Sequence, residues 1–67
     1  MKETELKLKE LRKERKLTQV ELAQKLGVHH VSVCRWETGA SEPSLAEVKH
    51  ICEVLGVTAD ALLGIGK

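Results

Sequence analysis

The sequence has no tyrosine and no phenylalanine, one tryptophan (Trp36), one proline (Pro43) and two cysteines (Cys34 and Cys52). With one aromatic side chain, base stacking on nucleic acid would rest on Trp36 alone. Two cysteines outside a Cys-x-x-Cys pair exclude a multi-bridge disulfide framework. The longest uncharged apolar run is Ala61-Leu62-Leu63-Gly64-Ile65, far short of the ~20 residues of a bilayer crossing, so no membrane span is expected. Met1-Lys2-Glu3-Thr4-Glu5 lacks the apolar stretch of a signal peptide, which makes the cytoplasm the expected address. No segment alternates with the period of a strand. No Gly-rich phosphate loop, Ser/His/Asp set or cleft-forming carboxylate pair stands out, so neither an enzyme nor a cofactor is expected.

The 67 residues make one domain, residues 1–67, with little room for both a core and a substrate pocket of roughly 300 Å³. At 42% hydrophobic and 31% charged residues the chain has enough apolar surface to fold rather than stay disordered. The net charge of +1 conceals an asymmetry: residues 1–39 hold nine Lys/Arg against six Asp/Glu, residues 40–67 two against four. A basic first half favours an anionic partner.

The periodicity predicts five short helices and an all-α fold. The first covers about residues 4–15, with Leu8 and Leu11 on one face and Leu6 roughly 160° from Leu8, outside the core stripe. Thr18-Gln19-Val20-Glu21 is a capping box opening a second helix with Leu22, Ala23 and Leu26 inward, which Gly27 ends. Val28 and His29 lead straight into a third helix, His30 to Thr38, closed by Gly39. After Pro43, the capping box Ser44-Leu45-Ala46-Glu47 starts a fourth, with Leu45, Val48, Ile51, Cys52 and Leu55 as its core face and His50 in solvent. Gly56 stops it. Thr58 caps a fifth that runs through Leu63 with Leu62 inward. The brief Gly-containing turn between the second and third fits a helix-turn-helix.

The third helix has two unlike sides. At 3.6 residues per turn Ser32, Val33 and Trp36 fall together, and Val33 and Trp36 form a packing surface with Val28. The other side presents His30, Val31, Cys34 and Arg35, an odd mixture for a face that only meets water. A DNA major groove accepts such a helix. Arg35 can bond guanine O6 and N7, His30 a base edge, and Val31 a thymine methyl. His30 and Cys34 also stand one turn apart, a spacing that can hold a metal, but two ligands alone make a weak site and no metal is expected. Cys52 reads as a small buried hydrophobe.

LTQVELAQKLGVHHVSVCRWETG followed by EPSLAEVKHICEVLGVTADALL resembles the Cro/repressor-type helix-turn-helix family, also called the xenobiotic-response-element family, and is similar to lambdoid phage repressor DNA-binding domains. The resemblance covers about residues 6–63. It implies a compact five-helix lambda-repressor-like fold and a transcriptional regulator, acting as a homodimer on a two-fold operator in double-stranded DNA. Carried over by residue, it implies base reading by His30, Val31, Cys34 and Arg35, phosphate contact by Gln19, His29 and Thr38, and a structural tie between Arg12 and Glu37. Leu63 and Ile65 are candidates for the dimer interface. The chain departs from the family at several positions. His29 stands where Ser or Thr commonly caps the third helix, which predicts a looser start. Val20 replaces a polar residue on the second helix. Ala40 and Ser41 replace frequent Lys or Arg, which predicts fewer phosphate contacts. No small-molecule ligand is evident. The alternative function is a protein-interaction module or an antitoxin-like component on the same fold.

Overall fold

Local chemistry sets the element boundaries in the computed structural model, which describes residues 6–64. Five helices follow one another: α1 (Leu8–Glu14), α2 (Gln19–Leu26), α3 (His30–Thr38), α4 (Leu45–Leu55) and α5 (Ala59–Leu63). No strand occurs among the described residues. Both capping boxes form. Thr18 Oγ1 accepts from the Glu21 amide at 3.0 Å and the Glu21 carboxylate accepts from the Thr18 amide at 2.8 Å. Ser44 and Glu47 repeat the pattern at 3.2 and 2.7 Å. Each box satisfies two amides that a helix start would otherwise leave unpaired. Thr58 caps α5 through the Ala61 amide at 3.1 Å.

Helix α1 has no side-chain cap. Its entry is held instead by the Lys7 amide, which donates to Leu62 O of α5 at 2.8 Å and joins the two ends of the described chain. Its exit turns through Lys16, the one non-glycine residue with positive φ (60°) among those described. The Leu17 amide reaches back to Arg12 O at 3.2 Å and that of Lys16 to Lys13 O at 2.9 Å, the paired bonds of a Schellman stop.

Packing follows from these starts and stops. Helix α2 lies against α3 and α4, α5 against α4, and α1 against α3. Leu8, Leu22, Val33, Ile51, Leu55 and Leu62 are fully buried at the centre, with Ala23, Leu26 and Trp36 around them. Each large side chain among them contributes about 1.5–3 kcal/mol relative to exposure.

Three sequence expectations need correction here. Leu45 is 77% exposed rather than part of the core face. Ile51 and Leu55 centre the buried stripe of α4, and Leu45 stands roughly 80° from Leu55 at its edge, in the helix's first residue. Val48 and Cys52, between those limits, are half-buried. Leu6 packs against the core; it precedes α1, so a helical wheel does not give its direction. The first helix begins at Leu8 rather than residue 4; residues 6 and 7 are not helical, and 4 and 5 lie outside the described residues.

Candidate nucleic-acid interface

Helix α3 is held with one flank inside the domain. Val33 is fully buried and Trp36 is 5% exposed, both against the core, while His30, Val31, Cys34 and Arg35 are exposed on the opposite flank. No hydrogen bond or ion pair among the described residues engages the His30 ring, the Cys34 thiol or the Arg35 guanidinium. That flank therefore carries a guanidinium fork, an imidazole and an isopropyl group within two turns, all available to a partner. Thr38, also exposed, donates its hydroxyl to Arg35 O at 3.3 Å at the helix end.

The turn before α3 is short because Gly27 adopts φ 74°, a left-handed conformation that an L side chain resists even though a Cβ would meet nothing there. Val28 follows and packs against the core. His29 then caps α3: its Nδ1 accepts from the Val31 amide at 3.2 Å. An imidazole cap thus stands in the place of a hydroxyl one. Because Nδ1 is the acceptor, the proton of the neutral ring sits on Nε2. The His29 and His30 rings lie 4.5 Å apart between centroids, tilted by 31°.

The other end of α3 is fixed by a polar cluster. Arg12 of α1 donates through Nε to Glu37 Oε2 at 2.7 Å and through Nη2 to Oε1 at 3.1 Å, with both side chains buried (8% and 3% exposed). Its Nη1 donates to Leu17 O at 2.8 Å. The hydrogen bond that Arg12 donates to Glu37 raises the Arg12 pKa above its ordinary value, burial opposes it, and the Glu37 charge adds to the rise. Gln19, half-buried at the start of α2, donates Nε2 to the same Glu37 Oε1 at 3.0 Å. One carboxylate therefore joins α1, the start of α2 and the end of α3.

Two contacts, one in this cluster and one at the end of α4, escape the sequence reading. Gln19 was matched to phosphate, and its bond to Glu37 needs the tertiary approach of α2 and α3. Arg15 donates Nε to Leu55 O at 2.7 Å, closing the C-terminus of α4 from outside. A signal for that contact existed, since α4 has no basic residue in its own last turn to meet its free carbonyls. Of the two interface candidates, Leu63 is half-buried and Ile65 lies outside the described residues. No three His, Cys, Asp or Glu side chains among the described residues come together as metal donors. No described helix is long and apolar enough to cross a membrane.

The family model for the helix-turn-helix matches residues 8–62. The chain belongs to the helix-turn-helix family. It is 39% identical over 57 residues to the HTH-type transcriptional activator BcrR of Enterococcus faecalis, covering 85% of this chain and 28% of that protein. It is 36% identical over 58 residues to the immunity repressor protein of Bacillus phage phi105, covering 87% and 40%. The chain thus spans less than half the length of these curated relatives. Among solved structures, this helix-turn-helix domain superposes on the P22 c2 repressor, crystallised with a synthetic operator, with a TM-score of 0.82 and 27% identity over 90% of this chain and 91% of that one. It also matches 32% of the chain of apo-HppE, at 35% identity and a TM-score of 0.76 over 84% of its own length. The fold therefore occurs both as nearly a whole chain and as about a third of a longer one, and the side chains on α3 must carry any functional argument.

Proposed function

We propose that this chain is the DNA-reading domain of a transcriptional regulator, with the outer flank of α3 lying in the major groove. The observation that carries the reading is the division of α3 itself: Val33 and Trp36 are buried, and His30, Val31, Cys34 and Arg35 face outward without partners among the described residues. Arg35 bonds a guanine at O6 and N7, His30 meets a neighbouring base edge, and Val31 touches a thymine methyl, while Cys34 is small enough to let the helix approach. Phosphates are met by Gln19 through the amide hydrogen that Glu37 leaves unused, by His29 through Nε2–H, and by Thr38. Two copies of the chain bind as a homodimer, placing their α3 helices on half-sites roughly 34–36 Å apart in a two-fold operator, with Leu63 and Ile65 at the contact between copies. The protein acts in the cytoplasm. The relatives named as an activator and as a repressor support regulation of transcription and leave its direction open.

Fluorescence anisotropy against fragments of the source genome, at two salt concentrations, tests the reading. One fragment class binds at least 10³-fold more tightly than the rest, and affinity falls as salt rises. Equal binding to all fragments with no salt slope would reject direct regulation and leave the protein-docking alternative.

A further inference from the structure

The start of α3 holds a pairing that base reading by His30 alone does not require. His29 is anchored to the backbone of α3, Nδ1 accepting the Val31 amide at 3.2 Å, and its ring lies against that of His30 at a centroid distance of 4.5 Å and a tilt of 31°. An exposed histidine ordinarily rotates among several rotamers, and ordering it on a base adds an entropic cost to binding. Here the His29 ring has a hydrogen bond to the backbone of α3, and its neighbour on that side is the His30 ring. Serine and threonine are preferred helix caps but offer no ring face to a neighbour.

We propose that His29 is a positioning residue for sequence recognition: its cap-anchored imidazole holds the His30 ring in the orientation that reads a base. This rests on the assignment of His30 to base reading. It adds to that assignment a residue that sets specificity without touching a base. Three observations meet at this residue: it is the N-cap of α3, its bond uses Nδ1 alone, and its face is in contact with the only other imidazole in the turn. The bond also leaves Nε2–H pointing away from the helix start, so the positioning role and a phosphate contact use different parts of one ring.

The test separates the cap from the ring. His29→Asn and His29→Ser both keep a capping oxygen and remove the imidazole. Binding is measured for the wild type, both variants and His30→Ala on the preferred operator and on operators substituted at each base pair in turn, with melting temperatures recorded alongside. His30→Ala reduces discrimination at one base pair in each half-site by about tenfold. The two His29 variants melt close to the wild type and reduce discrimination at that same base pair by about threefold, half the effect on a logarithmic scale. Full discrimination at that position in both His29 variants overturns the proposal. So does a loss of affinity equal on every operator, which makes His29 a phosphate contact only. If one variant melts early, the other supplies the result. If His30→Ala changes discrimination nowhere, the assignment of His30 to a base fails first, and that result is distinct from either failure of His29.

Discussion

Arg12 and Glu37 carry opposite charges into a place where neither meets much water, with side chains only 8% and 3% exposed. Their attraction repays desolvation because every polar atom finds a partner: Glu37 takes bonds from Arg12 and Gln19, and Arg12 also bonds Leu17 O. Arg12→Ala strands the carboxylate and lowers stability by about 3–5 kcal/mol in urea denaturation, enough to leave much of so small a domain unfolded. Replacing both partners together, Arg12→Met with Glu37→Leu, costs much less, since no uncompensated charge remains. Equal losses in the single and double variants would count against the tie. The thiols give a second residue-scale test. Cys34 is exposed and Cys52 half-buried, with the pKa of Cys52 raised first by burial and then by the charge of Glu53. A thiol reagent at pH 8 therefore consumes one equivalent at once and the second more slowly. The folded state holds the Cys52 proton more tightly than the unfolded chain does. That share of stability is present below the ordinary value of 9.0 and is lost as pH rises through the folded one. Cys52→Ala removes this part of the alkaline slope in urea midpoints measured from pH 8 to 10.

At the scale of the helix, much was legible because its causes are local. Thr18 with Glu21 and Ser44 with Glu47 are three residues apart, and the bonds they make need no tertiary partner. The glycines at 27, 39 and 56 mark helix ends for the same reason. What could not be read depends on neighbours. The wheel gave Leu45 a direction near the core stripe but not its place at its edge, and it gave Leu6 a helical direction it does not have. The bond of Arg15 to Leu55 O spans forty positions, beyond any local rule. The outward flank of α3 was legible as a pattern. The anchoring of His29 was not, because the preference for oxygen caps pointed to a looser start. Two substitutions test this scale by urea denaturation. Leu45→Lys changes stability by less than about 0.5 kcal/mol, whereas a Leu45 that packed in the core would cost several times more. Lys16→Gly relieves the left-handed conformation at the end of α1 and stabilises by about 0.5–1 kcal/mol. A loss would mean that the Lys16 side chain contributes more than its backbone strain subtracts.

The molecule as a whole binds its α3 between two fixed ends. At one end the short Gly27 turn and the His29 cap set where the helix begins; at the other the Arg12–Glu37–Gln19 cluster joins it to α1 and α2. Between them Val33 and Trp36 bury the inner flank, so the outer side chains are presented by a rigid support instead of a loop. Such preorganisation is what the proposed reading requires, because telling one base pair from another rests on about 1–3 kcal/mol. The charge distribution is consistent with that task, since the basic excess lies in residues 1–39, which hold α1, α2 and α3, and the later part is acidic. The most direct measurement is selection of bound DNA from a random pool by the wild type and by Arg35→Ala. The wild type recovers a consensus of two-fold related half-sites, and Arg35→Ala recovers the same consensus made degenerate at a single guanine in each half. Recovery of an identical consensus by both proteins, or of none by the wild type, would contradict the claim that the outer flank of α3 reads DNA.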